Sequence, residues 1–120
     1  MIWNMRRRKK RTFTVTLSGT FHKKVRPSDL EAECYVTIDG TIYATTGTYE
    51  VSRNSSILIY ARDFSIPSNW TSPGTITLNG EKVNQSESYE LKITGNAVIK
   101  GNVMNTGIQR TASAAITMPA

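Results

Sequence analysis

The side chains that could carry chemistry are few, and their spacing does not assemble them. His22 and Cys34 are the sole histidine and the sole cysteine. A Ser-His-Asp or Cys-His nucleophile would have to be built on that pair, and a tetrahedral zinc site would lack further ligands. Glu31 and Glu33 alternate as two carboxylates on one strand face do, but no neighbouring residue marks them as acid and base, so they read as surface charge. No Gly-rich phosphate loop or calcium loop occurs in the sequence. The expectation is a non-enzymatic protein with no catalytic, cofactor-binding or metal residues. In it His22 follows a strand, partly exposed, and Cys34 is a small buried residue at a strand start. A lone cysteine also excludes an intramolecular disulfide.

What the sequence does concentrate is charge. Arg6, Arg7, Arg8, Lys9, Lys10 and Arg11 supply six of the 15 basic residues, and 15 minus 6 leaves 9 against 9 acidic ones, so the formal +6 belongs to a short arm. Adjacent positive charges repel one another and favour an extended, solvated segment unless a polyanion or an acidic protein surface neutralises them. Nucleic-acid phosphate is one such counterpart, bound through counterion release without reading sequence. Ahead of the run, Ile2, Trp3 and Met5 form a small apolar hook, which suits a docking peptide better than a free tail. The candidate partner-binding residues are therefore Trp3, Arg6, Arg7, Arg8, Lys9, Lys10 and Arg11. A second candidate is the loop from Arg62 to Gly74, which is long for a hairpin and is expected to cross between sheets or project; there Phe64, Ile66 and Trp70 would either contact a partner or cap an open end of the fold. Asn-x-Ser/Thr triplets begin at Asn54, Asn69 and Asn84, but no apolar signal segment follows Arg11, and no stretch is long enough to cross a membrane. No Sec-type leader and no membrane partner are expected.

The elements that must hold these residues read as strands throughout. Thr, Ser and β-branched residues abound, and apolar residues never keep a 3.6-residue period over a helix length. Thr12 to Gly19 alternates Phe13, Val15 and Leu17 inward against threonines outward. Val36 to Ala61 and Ile76 to Gly101 align without a gap at an offset of 40 residues: Gly40 meets Gly80, Tyr49 meets Tyr89, Glu50 meets Glu90 and Ile59 meets Ile99. Such self-similarity points to an internal duplication. In each copy an Asp39-Gly40 or Asn79-Gly80 dipeptide predicts a two-residue hairpin turn, and a second pair of strands follows, "TYEV" with "SILIYA" and "SYELKI" with "AVIKG". "SAAITM" supplies a last strand. Residues 1–11 form the arm and residues 12–120 one β domain of nine to ten strands. The predicted fold is an all-β immunoglobulin-like sandwich built on the duplicated hairpin unit, with a small β-barrel as the alternative. Val36, Ile38, Tyr49, Val51, Ile57, Ile59, Ile76, Leu78, Tyr89, Leu91 and Ile99 are its expected core.

With "YVTIDGT" before "TYEVSRNSSILIYA" and "TITLNGEKV" before "SYELKITGNAVIKG", the chain resembles small Ig-like β modules of phage structural proteins from Gram-positive bacteria. The resemblance covers Tyr35 to Gly101 and offers no catalytic residues. It implies a virion component of the tail or head surface that assembles as a homo-oligomer or with other virion proteins, made in the host cytoplasm. The same rhythm occurs in bacterial cell-surface Ig-like repeats. An adhesion or glycan-binding module at the cell surface is therefore the second expectation, and nucleic-acid binding through the arm the third.

Overall fold

The computed structural model describes residues 11–119, and among them the fold is all-β. Its strands are β1 (Thr12–Gly19), β2 (Glu33–Ile38), β3 (Thr41–Tyr43), β4 (Gly47–Ser52), β5 (Ser56–Ser65), β6 (Trp70–Pro73), β7 (Thr75–Leu78), β8 (Glu81–Lys82), β9 (Ser88–Lys92), β10 (Ala97–Met104) and β11 (Gln109–Thr117). The two anticipated hairpins form where Asp39-Gly40 joins β2 to β3 and Asn79-Gly80 joins β7 to β8. All four turn residues have positive φ, which a two-residue turn of this hand demands and which Asp, Asn and Gly accept most readily.

The strands make two layers. One runs β3-β2-β5-β9, with β6 continuing along the β5 edge beyond β9; the other runs β4-β1-β10-β11-β7-β8. The first two residues of β11, Gln109 and Arg110, pair with Ser65 and Phe64 of β5 and so join the layers into one open, curled sheet. Pairing is antiparallel except where β1 lies parallel to β10 and β7 parallel to β11. Period-two alternation sends Phe13, Val15 and Leu17 of β1, Cys34, Val36 and Ile38 of β2, Ile57, Ile59 and Ala61 of β5, and Ile99 of β10 into a shared core with Ile76, Ile93 and Ile116. Tyr49, Leu78, Tyr89 and Leu91 are half-buried and pack against that core from its margin.

Three features differ from the sequence reading. The chain has eleven strands among the described residues, because "WTSP" in the central segment is a short strand that periodicity does not reveal. The Arg62 to Gly74 segment is not a loop: β5 runs on to Ser65, a turn with a cis Ile66-Pro67 bond reverses it, and β6 pairs back against it. Finally, β4 does not pair with β5, nor β9 with β10. Each second pair of strands splits between the layers: β4 joins β1 in one, while β9 joins β5 in the other. Polar turns mark where a chain bends; they do not say whether the next strand returns to the same sheet.

Two chain crossings link the layers of the open curl, each at a seam. At one, the short β3–β4 connection passes between layers, and Tyr43 and Tyr49 meet across it with ring centroids 4.6 Å apart. At the other, the chain crosses at Gly74, where a side chain would collide with the Ala112 carbonyl oxygen at 2.2 Å. Asn84 holds that crossing. Its Oδ1 accepts the Ile76 N–H at 2.8 Å, and its Nδ2 donates to the carbonyls of Gly74 at 2.7 Å and Ser86 at 2.8 Å. Asn84 is buried, so the triplet that begins there is unavailable to a glycan.

Candidate functional site

Two surfaces stand out among the described residues, and sequence reasoning had singled out only part of each. The first is a cleft of about 520 Å³ between the segment that follows β1 and the outer face of the β2–β5 layer, lined by Lys23, Lys24, Arg26, Glu33, Tyr35 and Arg62. Its floor is set by strand register. Glu33 faces Arg62 and Tyr35 faces Tyr60 across the β2–β5 ladder, on the side away from the core. The two tyrosine rings stack at 4.6 Å with planes 16° apart, and the Lys23 ammonium lies 5.1 Å from the Tyr35 centroid.

Glu33 is not surface charge, as its sequence suggested: it is only 3% exposed. Its carboxylate accepts the Lys24 backbone N–H at 2.8 Å and pairs with the Arg62 guanidinium, which also reaches Glu87 at 3.6 Å. Glu31 and Glu33 therefore have different partners, because Glu31 precedes β2 and bonds His22. A buried carboxylate needs such partners to offset its desolvation. The missing signal was register: Arg62 lies 29 residues from Glu33, and nothing local announces the pairing. Burial and the neighbouring Arg62 hold the Lys24 ammonium below its ordinary pKa, and burial also pushes the Tyr35 phenol up. No Lys23 or Lys24 salt bridge to a carboxylate occurs among the described residues.

Nor does the fold join His22 and Cys34 into a reactive pair. They exchange backbone hydrogen bonds of 2.8 and 2.9 Å, but the His22 ring engages Glu31, while the Cys34 thiol is buried and donates to the Ser113 carbonyl at 3.4 Å. Burial pushes that thiol up to about 12, so it is protonated at neutral pH and unfit as a nucleophile.

The second surface is one end of the curl. Trp70 pairs with Ser65, Ser65 pairs with Gln109, and the Ile66 N–H donates to the Ile108 carbonyl at 3.0 Å. Arg110 donates to the Leu30 carbonyl, and Asn105 accepts the Ala32 N–H at 2.7 Å. These links draw Leu30, Ile66, Trp70, Met104 and Ile108 to one pole. Trp70 is 56% exposed, Met104 56%, Ile108 66% and Leu30 40%. Phe64 is not among them. The sequence groups it with Trp70 as a loop contact, but it sits on β5 rather than in a loop and is 6% exposed, so Trp70 alone of the two is available.

The arm enters at the opposite pole. The Arg11 carbonyl accepts the Arg53 N–H at 2.6 Å beside the β4–β5 turn, and β1 runs from there toward the apolar end. Trp3, Arg6, Arg7, Arg8, Lys9 and Lys10 lie outside the described residues, and Arg11 is exposed at the threshold. Among the described residues no helix is long and apolar enough to cross a membrane. Comparison with known protein families, with curated proteins and with solved structures finds no match to this chain.

Proposed function

We propose that this protein is a non-enzymatic structural subunit of a phage virion, a component of the tail or head surface that assembles through its β domain and its N-terminal arm. The observation that carries the reading is polarity of layout: a basic arm with an apolar hook in its sequence enters at one pole, and Trp70, Met104 and Ile108, three of the four most exposed large apolar residues among the described ones, gather at the other. Surfaces of that kind on a soluble domain mark contacts with other chains. The refinement to an immunoglobulin-like sandwich belongs to the same proposal and is supported by two layers enclosing one core, each with a duplicated hairpin at its margin. Sedimentation velocity of the full chain from micromolar to near-millimolar concentration tests the reading: discrete oligomers or growing polymers are expected, and a monomer across the range rejects it.

The cleft favours a second reading, a surface-adhesion module. The stacked Tyr35–Tyr60 pair beside Arg62 and Glu87 combines an aromatic platform with hydrogen-bonding groups of both signs, as sugar recognition requires. Titration with bacterial cell-wall glycans decides it: saturable binding that Tyr60→Ala abolishes supports adhesion.

A further inference from the structure

Resting on the assembly reading, we infer that the pole formed by Leu30, Ile66, Trp70, Met104 and Ile108 is the receptor for the Ile2-Trp3-Met5 hook of a neighbouring copy, so that copies join head to tail. The pole has what an apolar hook requires. Four of its residues are 40% exposed or more, and the backbone beneath them is pinned by the β5–β11 and β5–β6 pairings and by the Arg110–Leu30 and Asn105–Ala32 hydrogen bonds. The receptor is therefore formed before the hook arrives, and the ordering cost falls on the arm alone.

Geometry selects the donor. β1 starts at the far pole and runs toward the receptor, so an arm folding onto its own domain would first have to reverse. It would then have to cover a strand length; β5, with 10 residues, spans about 30 Å. From β1 back to Trp3 the chain counts nine residues, which extend to at most about 30 Å. Because it must also turn back on itself, the hook of the same copy would arrive with no slack, whereas a second copy supplies it without a reversal. Donor and receptor occupy opposite ends, so the contact is heterologous. Such contacts build a ring if the rotation closes and an open filament if it does not. The cationic run then lies between successive domains.

Mixing two complementary variants of the full chain tests this. One carries Ile2→Ser, Trp3→Ser and Met5→Ser and keeps its receptor; the other carries Trp70→Ser and Ile108→Ser and keeps its hook, with Met104→Lys as an alternative should the β6 change disturb folding. Each variant alone is expected to sediment as a monomer where the parent chain assembles. Mixed in equal amounts they should form a one-to-one dimer that stops there, since a single intact hook and a single intact receptor remain. A peptide of residues 1–11 in tenfold excess should reduce assembly of the parent chain at least tenfold. If the parent assembles and both variants assemble as well, or if the mixture stays monomeric, the hook–receptor contact is wrong while the assembly reading stands. A parent that is monomeric throughout rejects assembly itself; failure of labelled peptide to bind it would then reject the receptor too, and binding that Ile108→Ser removes would retain it.

Discussion

Replacing Asn84 with alanine tests whether one buried amide holds the second seam. The side chain accepts the Ile76 N–H and donates to the Gly74 and Ser86 carbonyls. Three hydrogen bonds at about 1 kcal/mol net each give roughly 3 kcal/mol. Stranding the Ile76 N–H and the Gly74 carbonyl at a buried position brings the expected loss to about 3–5 kcal/mol. That is a large part of the roughly 5–15 kcal/mol that stabilises a domain of this size. Urea unfolding followed by tryptophan fluorescence reads it as a drop in midpoint with unchanged slope. Asn84→Asp sharpens the argument: an ionised carboxylate still accepts from Ile76 but faces two carbonyl oxygens, whereas a protonated one can donate to one of them. Its stability relative to the parent should therefore rise as pH is lowered from 7 to 4. A loss below about 1 kcal/mol for Asn84→Ala, or a pH-independent Asn84→Asp, would refute the view that this amide secures the crossing.

The Glu33–Arg62 pair makes a second prediction. Arg62→Met leaves a buried carboxylate without its guanidinium and should cost toward the lower end of about 3–5 kcal/mol, since Arg62 is partly open to water, and Glu33→Met with Arg62→Met should cost less than Arg62→Met alone. Cys34 should resist thiol reagents at pH 8 until the protein unfolds. Its thiol pKa is raised from 9.0 to about 12, so burial of the neutral form stabilises the fold fully below pH 9, and that contribution is lost as pH rises toward 12, by at most about 1.4 kcal/mol per unit. The raised Tyr35 phenol adds the same sign at alkaline pH. Urea midpoints between pH 8 and 10.5 should fall less steeply for Cys34→Ala than for the parent.

Local chemistry was legible in the sequence where a single strand or turn decides the outcome. Phe13, Val15 and Leu17 alternate inward as their spacing predicts, and the Asp39-Gly40 and Asn79-Gly80 turns form because only residues tolerant of positive φ fit there. What could not be read is which strand lies beside which. Tyr49 and Tyr89 alternate correctly with their neighbours but fall at the margin, because β4 and β9 are edge strands of opposite layers. Ile93, fully buried, continues the Tyr89-Leu91 alternation and was within reach of the same rule. The cleft was invisible for the same reason: Glu33, Tyr35, Tyr60 and Arg62 become neighbours only through the β2–β5 register. Exposed Trp70 and buried Phe64 likewise differ because β5 continues through one and β6 begins at the other.

The splitting of strands between layers has a consequence for how the chain can fold. The layer that holds β2, β3 and β5 takes its β9 from the later copy, and the layer that holds β7, β8 and β10 takes its β4 from the earlier one. With β11 and β1 set aside, both layers show the same order and the same relative strand directions: hairpin, long strand, borrowed strand. This is the arrangement of two half-length chains that have traded an arm. Neither half can complete a sheet by itself, so the domain has no natural place to come apart into independently stable pieces. Unfolding should be all-or-none despite the repeat. A backbone cut in the turn between β5 and β6 should yield fragments that are unstructured singly and regain the native sheet when recombined.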